Sequence, residues 1–350
     1  MHSGVLLFSI QAGLRFFAFP VIFVVPVTMA DARSQIFPEF RDVVGPGMRF
    51  EEIKPIGSGS FSVVWQMKDN QSGRLVVGKF MDLSKMTEKN RNFALNEAHN
   101  AAKIVHPNVV SFIERQDRGD KLLLVFEFAD AGDLYAQVNA RAPSRFFKEA
   151  EILLIFTQMC LALNQLHRRK MLHRDIKTPN IFLTTTGLIK LGDFGFSREY
   201  DSTVSGDVGS TFCGTPYYLA PELWNQAPYS KKADMWSLGI VLYELMALRK
   251  PFSGSSVRDL VANVMSGRFD ALPEHYSPAL RQLCVDLLNS DPRMRPSIDQ
   301  VFHCDVLRTN GLLVLQKNVP RLTTVPELTR QAILTDVEAV LMQSSAESDD

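Results

Sequence analysis

The residues best equipped for chemistry sit in one short stretch, His173-Arg174-Asp175-Ile176-Lys177-Thr178-Pro179-Asn180. Asp175 can orient a substrate hydroxyl and accept its proton. Asn180, five residues on, can offer a neutral oxygen to a magnesium ion. Thirteen residues further, Asp193-Phe194-Gly195 supplies a carboxylate for the same metal. Magnesium takes oxygen ligands, few of them protein carboxylates, and shares itself with substrate phosphates. Upstream, Gly57-Ser58-Gly59-Ser60-Phe61-Ser62-Val63-Val64 reads G-x-G-x-x-S-x-V between two apolar-polar alternations. Glycines there let the backbone turn tightly and bring its N–H groups close to phosphate oxygens. Alone, such a stretch is no more than a turn, and it fails as a dinucleotide fingerprint because no helix follows it. Lys79 lies 22 residues after Gly57. To be held, charged, against phosphates it needs a carboxylate partner, and Glu97 is the candidate. Each piece alone is an ordinary loop, strand or helix surface; their order and spacing together point to phosphates, a metal and a hydroxyl in one site.

Those residues need elements to position them. Phe50 to Asp69 alternates around the glycine turn, which predicts paired strands, and Leu75–Phe80 predicts another, carrying Lys79. Lys89–Ile104 is helical in character and carries Glu97, broken by His106-Pro107. Lys121–Phe128 (KLLLVFEF) predicts a buried strand. Ile152, Ile155, Phe156, Met159, Leu163 and Leu166 recur at helical spacing ahead of the Asp175 loop. Phe182–Gly192 predicts a hairpin leading into Asp193, and Ala233–Leu248 an apolar helix stopped near Pro251. Strands dominate first and helices later, which predicts an α+β enzyme with two lobes. Pro326–Met342 predicts an amphipathic helix with Leu328, Ile333, Val337 and Leu341 on one face, docked on the main domain.

The chain has 350 residues, with Lys+Arg 38 against Asp+Glu 38. Zero net charge argues against a generic nucleic-acid binder, which carries a basic surplus, and against an acidic disordered chain. Cys160, Cys213, Cys284 and Cys304 form no CxxC or His/Cys cluster, which excludes a disulfide scaffold or zinc ribbon and fits a reducing compartment. Residues 1–30 hold one charge, Arg15, and the run FFAFPVIFVVP. Three readings of it stand: a segment upstream of a start at Met29, a membrane or targeting segment, or a packed extension. The run is short for a bilayer-spanning helix and is interrupted by Pro20 and Pro26. Residues 31–49, with Pro38 and Pro46, read as a linker.

The order Gly-rich loop, strand lysine, helix glutamate, His173-Arg174-Asp175, Asp193-Phe194-Gly195 and Ala220-Pro221-Glu222 resembles the eukaryotic protein kinase domain over residues 50–306, with 307–350 as a tail. HRDIKTPNIFL, GLIKLGDFG and GTPYYLAPEL resemble the NIMA-related (NEK) serine/threonine kinases, and Val204–Trp224 those of trypanosomatid protozoa. The resemblance implies a two-lobed fold and γ-phosphoryl transfer from ATP to Ser/Thr of protein substrates. It implies that Gly57–Val64 covers the phosphates, with Ile56, Val64, Val77 and Phe182 around the adenine. Lys79 would pair with the α/β-phosphates and Glu97. Asn180 and Asp193 would hold Mg2+, Asp175 would act as base, and Lys177 would touch the transferring phosphate. Phe126 matches the gatekeeper, and the hinge backbone of Glu127, Phe128 and Ala129 would bind adenine. A pseudokinase acting as a nucleotide-binding scaffold is the alternative. Family analogy places such chains in the cytoplasm, with cytoskeletal, basal-body or flagellar roles; membrane association depends only on residues 1–30.

The activation segment runs from Asp193 to Glu222. Thr211 matches the activating phosphosite, to be filled by an upstream kinase or by autophosphorylation, with Arg174 as partner of the phosphate. Thr215 would orient Asp175 and Lys177, Glu222 would pair with Arg295, and Phe196 resembles kinases that favour serine acceptors. Three positions depart from the family pattern. Ser62 replaces the third glycine, Val77 stands where alanine packs on adenine, and Ala101 is small in the internal spine with Phe112, His173 and Phe194.

Overall fold

Alternating β-branched, aromatic and polar residues between glycine turns set the first lobe. The computed structural model describes residues 38–58, 62–141, 145–193, 198–199, 216–225, 227–322 and 324–346. β1 (Phe50–Ser58), β2 (Ser62–Asp69) and β3 (Leu75–Asp82) run antiparallel. Helix α1 (Glu88–Ala102) follows, its first turn capped by Thr87, whose side chain accepts from Asn90 N. β4 (Phe112–Arg118) and β5 (Lys121–Glu127) complete a sheet of order β1-β2-β3-β5-β4. β5 is buried on both faces, as its unbroken apolar run predicts. Leu123 and Val125 pack with Phe50, Trp65, Met67 and Phe80 on one face, and Leu122, Leu124 and Phe126 join the main core on the other.

Residues 38–49 of the segment read as a linker are part of that first face. Phe40 is fully buried and meets Phe80 edge-on at 5.7 Å between ring centroids, Val44 bridges to Phe50, and Arg118 reaches Asp42 at 2.8 Å. Prolines and glycines signalled irregular backbone there, and irregular backbone is what forms. Two apolar anchors nonetheless hold residues 38–49 against the sheet.

The second lobe is helical: α2 (Leu134–Asn139), α3 (Glu149–Arg168), α4 (Pro221–Trp224), α5 (Lys231–Ala247), α6 (Val257–Ser266), α7 (Pro278–Leu287) and α8 (Ile298–His303). Short strands β6 (Met171–Leu172), β7 (Ile181–Leu183), β8 (Ile189–Leu191) and β9 (Arg198–Glu199) pair as β6-β9 and β7-β8. In α3 every residue of the predicted stripe from Ile152 to Leu166 is buried. α5 starts on the Ser230 cap and ends at Leu248, which turns left-handed at φ 55° and donates its N–H to Glu244 O.

A π turn (Val306–Leu312), α9 (Leu313–Asn318) and α10 (Glu327–Ala346) follow. α10 forms where an amphipathic helix was expected and docks on the core, but its buried stripe is Ile333, Val337 and Val340. Leu328 is 86% exposed. Five residues at 100° each place it about 140° from Ile333, on the other side of the helix. Among the described residues no helix is long and apolar enough to cross a membrane; residues 1–30 lie outside them.

Candidate active site

The loop from β6 to β7 is built around a buried carboxylate 60 residues away. Asp234, in the first turn of α5, is fully buried and accepts four hydrogen bonds. Oδ2 takes His173 N at 3.0 Å and His167 Nε2 at 2.9 Å; Oδ1 takes Arg174 N at 2.9 Å and Tyr229 OH at 2.9 Å. Burial pushes this carboxyl up, but the bonds from His167 and Arg174 outweigh it and hold Asp234 below the usual range. Arg174 adopts φ 69°, a conformation L-residues rarely take. The bond from its N–H to Asp234 holds that strained turn.

The turn presents Asp175. Lys177 Nζ donates to Asp175 Oδ2 at 2.8 Å, and Asn180 Nδ2 donates to Asp175 Oδ2 at 2.8 Å and to its carbonyl at 2.9 Å. Burial, opposed by Lys177, lifts the Asp175 carboxyl above the ordinary value. His173 is buried, which lowers its pKa and favours the neutral ring. Its Nδ1 accepts from Asp175 N at 3.3 Å, so Nε2 carries the proton and donates to Gly192 O at 3.1 Å.

Hairpin β7–β8 brings Asp193 alongside. Gly192 N donates to Asn180 O at 3.0 Å, tying the two loops together. A Cβ at Gly192 would meet Val110 Cγ2 at 2.7 Å and Phe182 Cε2 at 2.9 Å, so this crossing admits only hydrogen. Asp193 follows at φ 63°. Lys79 Nζ comes across from β3 to 3.4 Å of Asp193 Oδ1, and this lysine holds the Asp193 carboxyl below the usual range.

The sheet roofs this cluster. Val64 lies opposite Lys79, and Val77 opposite Phe126, so these side chains share one face. Phe126 is nearly buried and edge-on to Phe112 at 5.7 Å. Ile56, Gly57 and Ser58 are exposed at the end of β1; Ser62, Val63, Val64, Val77, Ala129 and Phe182 are half-buried. Gly59, Ser60, Phe61, Phe194, Gly195, Phe196, Thr211 and Thr215 lie outside the described residues, as does the side chain of Glu97, whose backbone is in α1.

Several residues of the site carry no local signal. Glu127, expected to contribute backbone, also uses its side chain: it accepts Lys190 Nζ at 2.8 and 3.0 Å and Ser111 N at 2.7 Å. It thereby joins the end of β5 to the hairpin that carries Asp193. Glu244, also on α5, accepts Tyr218 OH at 2.6 Å and Thr178 Oγ1 at 3.3 Å, with Lys250 Nζ 3.4 Å away. Burial lifts the Glu244 carboxyl, and burial with that neighbouring carboxylate lifts the Tyr218 hydroxyl further. The one available signal was a lone carboxylate in each end of an otherwise apolar helix. Glu222 pairs with fully buried Arg295 at 2.9 and 3.1 Å, as expected.

A family model described as "Protein kinase domain" matches residues 50–307. A sequence of Trypanosoma brucei brucei named "Putative serine/threonine-protein kinase A" is 43% identical over 288 residues, 82% of this chain and 67% of that relative. The corresponding kinase B is 42% identical over 312 residues, 88% of this chain and 72% of the relative. Mouse "Serine/threonine-protein kinase Nek1" is 40% identical over 254 residues, 73% of this chain but 21% of the mouse protein. None of these relatives supports the scaffold alternative. The two-lobed chain belongs to the protein kinase domain family and is a NEK-related serine/threonine kinase.

Proposed function

We propose that Asp175 is the base that receives the acceptor hydroxyl's proton, within a catalytic unit of residues 50–306. The observation that carries this is that Lys177 and Asn180 each meet Asp175 at 2.8 Å and Lys79 meets Asp193 at 3.4 Å, the two groups being tied by the bond from Gly192 N to Asn180 O at 3.0 Å. Lys177 stands beside the base and neutralises charge as the phosphoryl group approaches. Lys79, with Glu97 as its helix partner, orients the α/β-phosphates. Ile56–Val64, Val77, Glu127, Ala129 and Phe182 enclose the nucleotide.

The residues fit a hard divalent cation. Asn180 commits its amide nitrogen to Asp175, so Oδ1 is the atom a cation would meet. Asp193 is kept ionised by Lys79. One carboxylate and one amide oxygen suit Mg2+ shared with phosphates better than a protein-only cage. Bound Mg2+ supplies charge neutralisation on the phosphates. We further assign Thr211 as the activating phosphosite, served by an upstream kinase or by autophosphorylation.

Wild type and Asp175→Asn should be compared on serine and threonine peptide arrays with ATP and Mg2+. Loss of a general base lowers kcat by about 10²–10⁴-fold, with nucleotide affinity retained. Equal transfer by both proteins would remove Asp175 from the role. Thr211→Ala with full activity would remove the phosphosite.

A further inference from the structure

After residue 306 the chain packs against α3. The π turn seats Gly311 against α3, where a Cβ would meet Thr157 Oγ1 at 2.5 Å. α10 then buries Ile333, Val337 and Val340. It places Asp336 Oδ2 2.8 Å from Nε2 of His106, a side chain only 3% exposed in the loop between α1 and β4. The other ring nitrogen, Nδ1, accepts from Asn108 N at 3.0 Å. The proton therefore sits on Nε2, at ion-pair distance from the carboxylate but not aligned on it as a hydrogen bond.

We propose that Asp336 is a positioning residue for nucleotide binding: the C-terminal helix fixes the 106–110 loop, and that loop sets both the Glu97 helix and the Asp193 strand. The path is continuous. Asn108 O accepts Leu191 N at 2.8 Å, and Leu191 O accepts Val110 N at 2.8 Å. Asn108 Nδ2 donates to Ile189 O at 2.9 Å and to Gln158 Oε1 at 2.8 Å. Leu191 is two residues from Asp193, and His106 is four residues past the end of α1. Arg169, at the end of α3, donates to Lys103 O in the same connection. The tail thus reaches a joint where the catalytic-loop lobe grips the sheet lobe. Ile333, Val337 and Val340 hold α10 down, and the carboxylate lies against the imidazole whose Nδ1 accepts from Asn108 N in the loop. This inference rests on the roles proposed above for Glu97 and Asp193.

The test uses the full chain with Asp336→Ala and, as a control on the exposed side of α10, Leu328→Ala. ADP affinity with Mg2+, KM for ATP, KM for peptide, kcat and Tm are measured for each. Asp336→Ala is expected to weaken ADP binding and raise KM for ATP roughly three- to tenfold, with KM for peptide unchanged. Leu328→Ala should match the parent. Gly311→Val, which unseats the tail without touching the pair, should reproduce the nucleotide-specific loss. Unchanged ADP affinity in Asp336→Ala overturns the proposal. So does a lower Tm with activity falling only in step with the folded fraction, which marks a merely structural contact. A parent indistinguishable from Asp175→Asn in transfer would instead sink the catalytic assignment, and the ADP measurement would still decide the role of Asp336.

Discussion

Helices α5 and α1 both serve the site, and they are embedded in opposite ways. In α5, fourteen of seventeen residues are buried, and its two interior carboxylates, Asp234 and Glu244, are both bonded to the catalytic side. In α1 the buried members among the described side chains are Ala94, Asn100 and Ala101. Leu95 packs on the core in mid-helix, and ties near the ends include the Thr87 cap, Arg91 to Asp120 at 3.0 Å, and Arg169 to Lys103 O. The half of the site that holds Asp175 is therefore fixed by the core. The helix that carries Glu97 is held by fewer of its described side chains.

The most severe way to break this contrast is to empty the fixed side. Asp234→Ala orphans four donors around a strained turn in the protein interior. Removing one partner of such a buried network costs about 3–5 kcal/mol. Denaturant unfolding should show a loss of that order, with kcat falling because Arg174 and Asp175 lose their anchor. If Asp234→Ala does not fold, Asp234→Asn, which keeps the volume and one acceptor, should show a smaller loss in the same direction. A change below about 1 kcal/mol for either variant would mean that α5 does not hold the loop.

A matched pair of overpacking substitutions sharpens it. Gly239 in α5 faces α7 so closely that a Cβ would meet Leu287 Cβ at 2.8 Å and its backbone carbon at 3.2 Å. Ala101 in α1 is 1% exposed, so this small residue leaves no open surface beside it. Overfilling either site costs about 1–3 kcal/mol. Gly239→Ala should lower Tm and leave KM for ATP unchanged, because α5 has nowhere to move. Ala101→Leu should shift α1 instead, so that Tm falls less and KM for ATP or basal kcat changes. Identical kinetic behaviour of the two variants would erase the distinction.

What the sequence revealed divides along similar lines. The Asp175 loop, the Asp193 turn and Lys79 were legible because their chemistry is concentrated in short runs. The strands around Lys79 and the α3 stripe were legible because burial imposes a period, and α5 because a helix buried all round must be apolar throughout. Links of high sequence separation were not. Asp234 to Arg174 spans 60 residues and Lys190 to Glu127 spans 63, and no local spacing encodes either. The tail helix was legible as a helix, but Leu328 was misplaced because the register of an amphipathic face depends on what it docks against. Phe40 was hidden for the same reason: two apolar residues in a Pro/Gly segment become anchors only beside the sheet.

The subtlest expected effect lies within α5 itself, where the two carboxylates differ in sign. Asp234 has its folded pKa below the unfolded value near 3.8, so its stabilisation is present above about pH 4 and is lost as pH falls through the folded pKa. Glu244 is shifted the other way, chiefly by burial, from an unfolded value near 4.5. Its ionised form is disfavoured by folding, so stability at neutral pH is reduced and recovers as pH falls from the folded pKa to 4.5. Glu244→Gln removes that penalty but also loses the pairing with Lys250. Each unit of carboxyl shift corresponds to about 1.4 kcal/mol, so the net gain should be about 1 kcal/mol or less. Unfolding measured from pH 4 to 8 should show Glu244→Gln gaining on the parent as pH rises, and Asp234→Asn losing ground over the lowest part of that range. Parallel curves for Glu244→Gln and the parent would show that α5 tolerates the buried glutamate without cost, and would make its contrast with α1 one of packing alone.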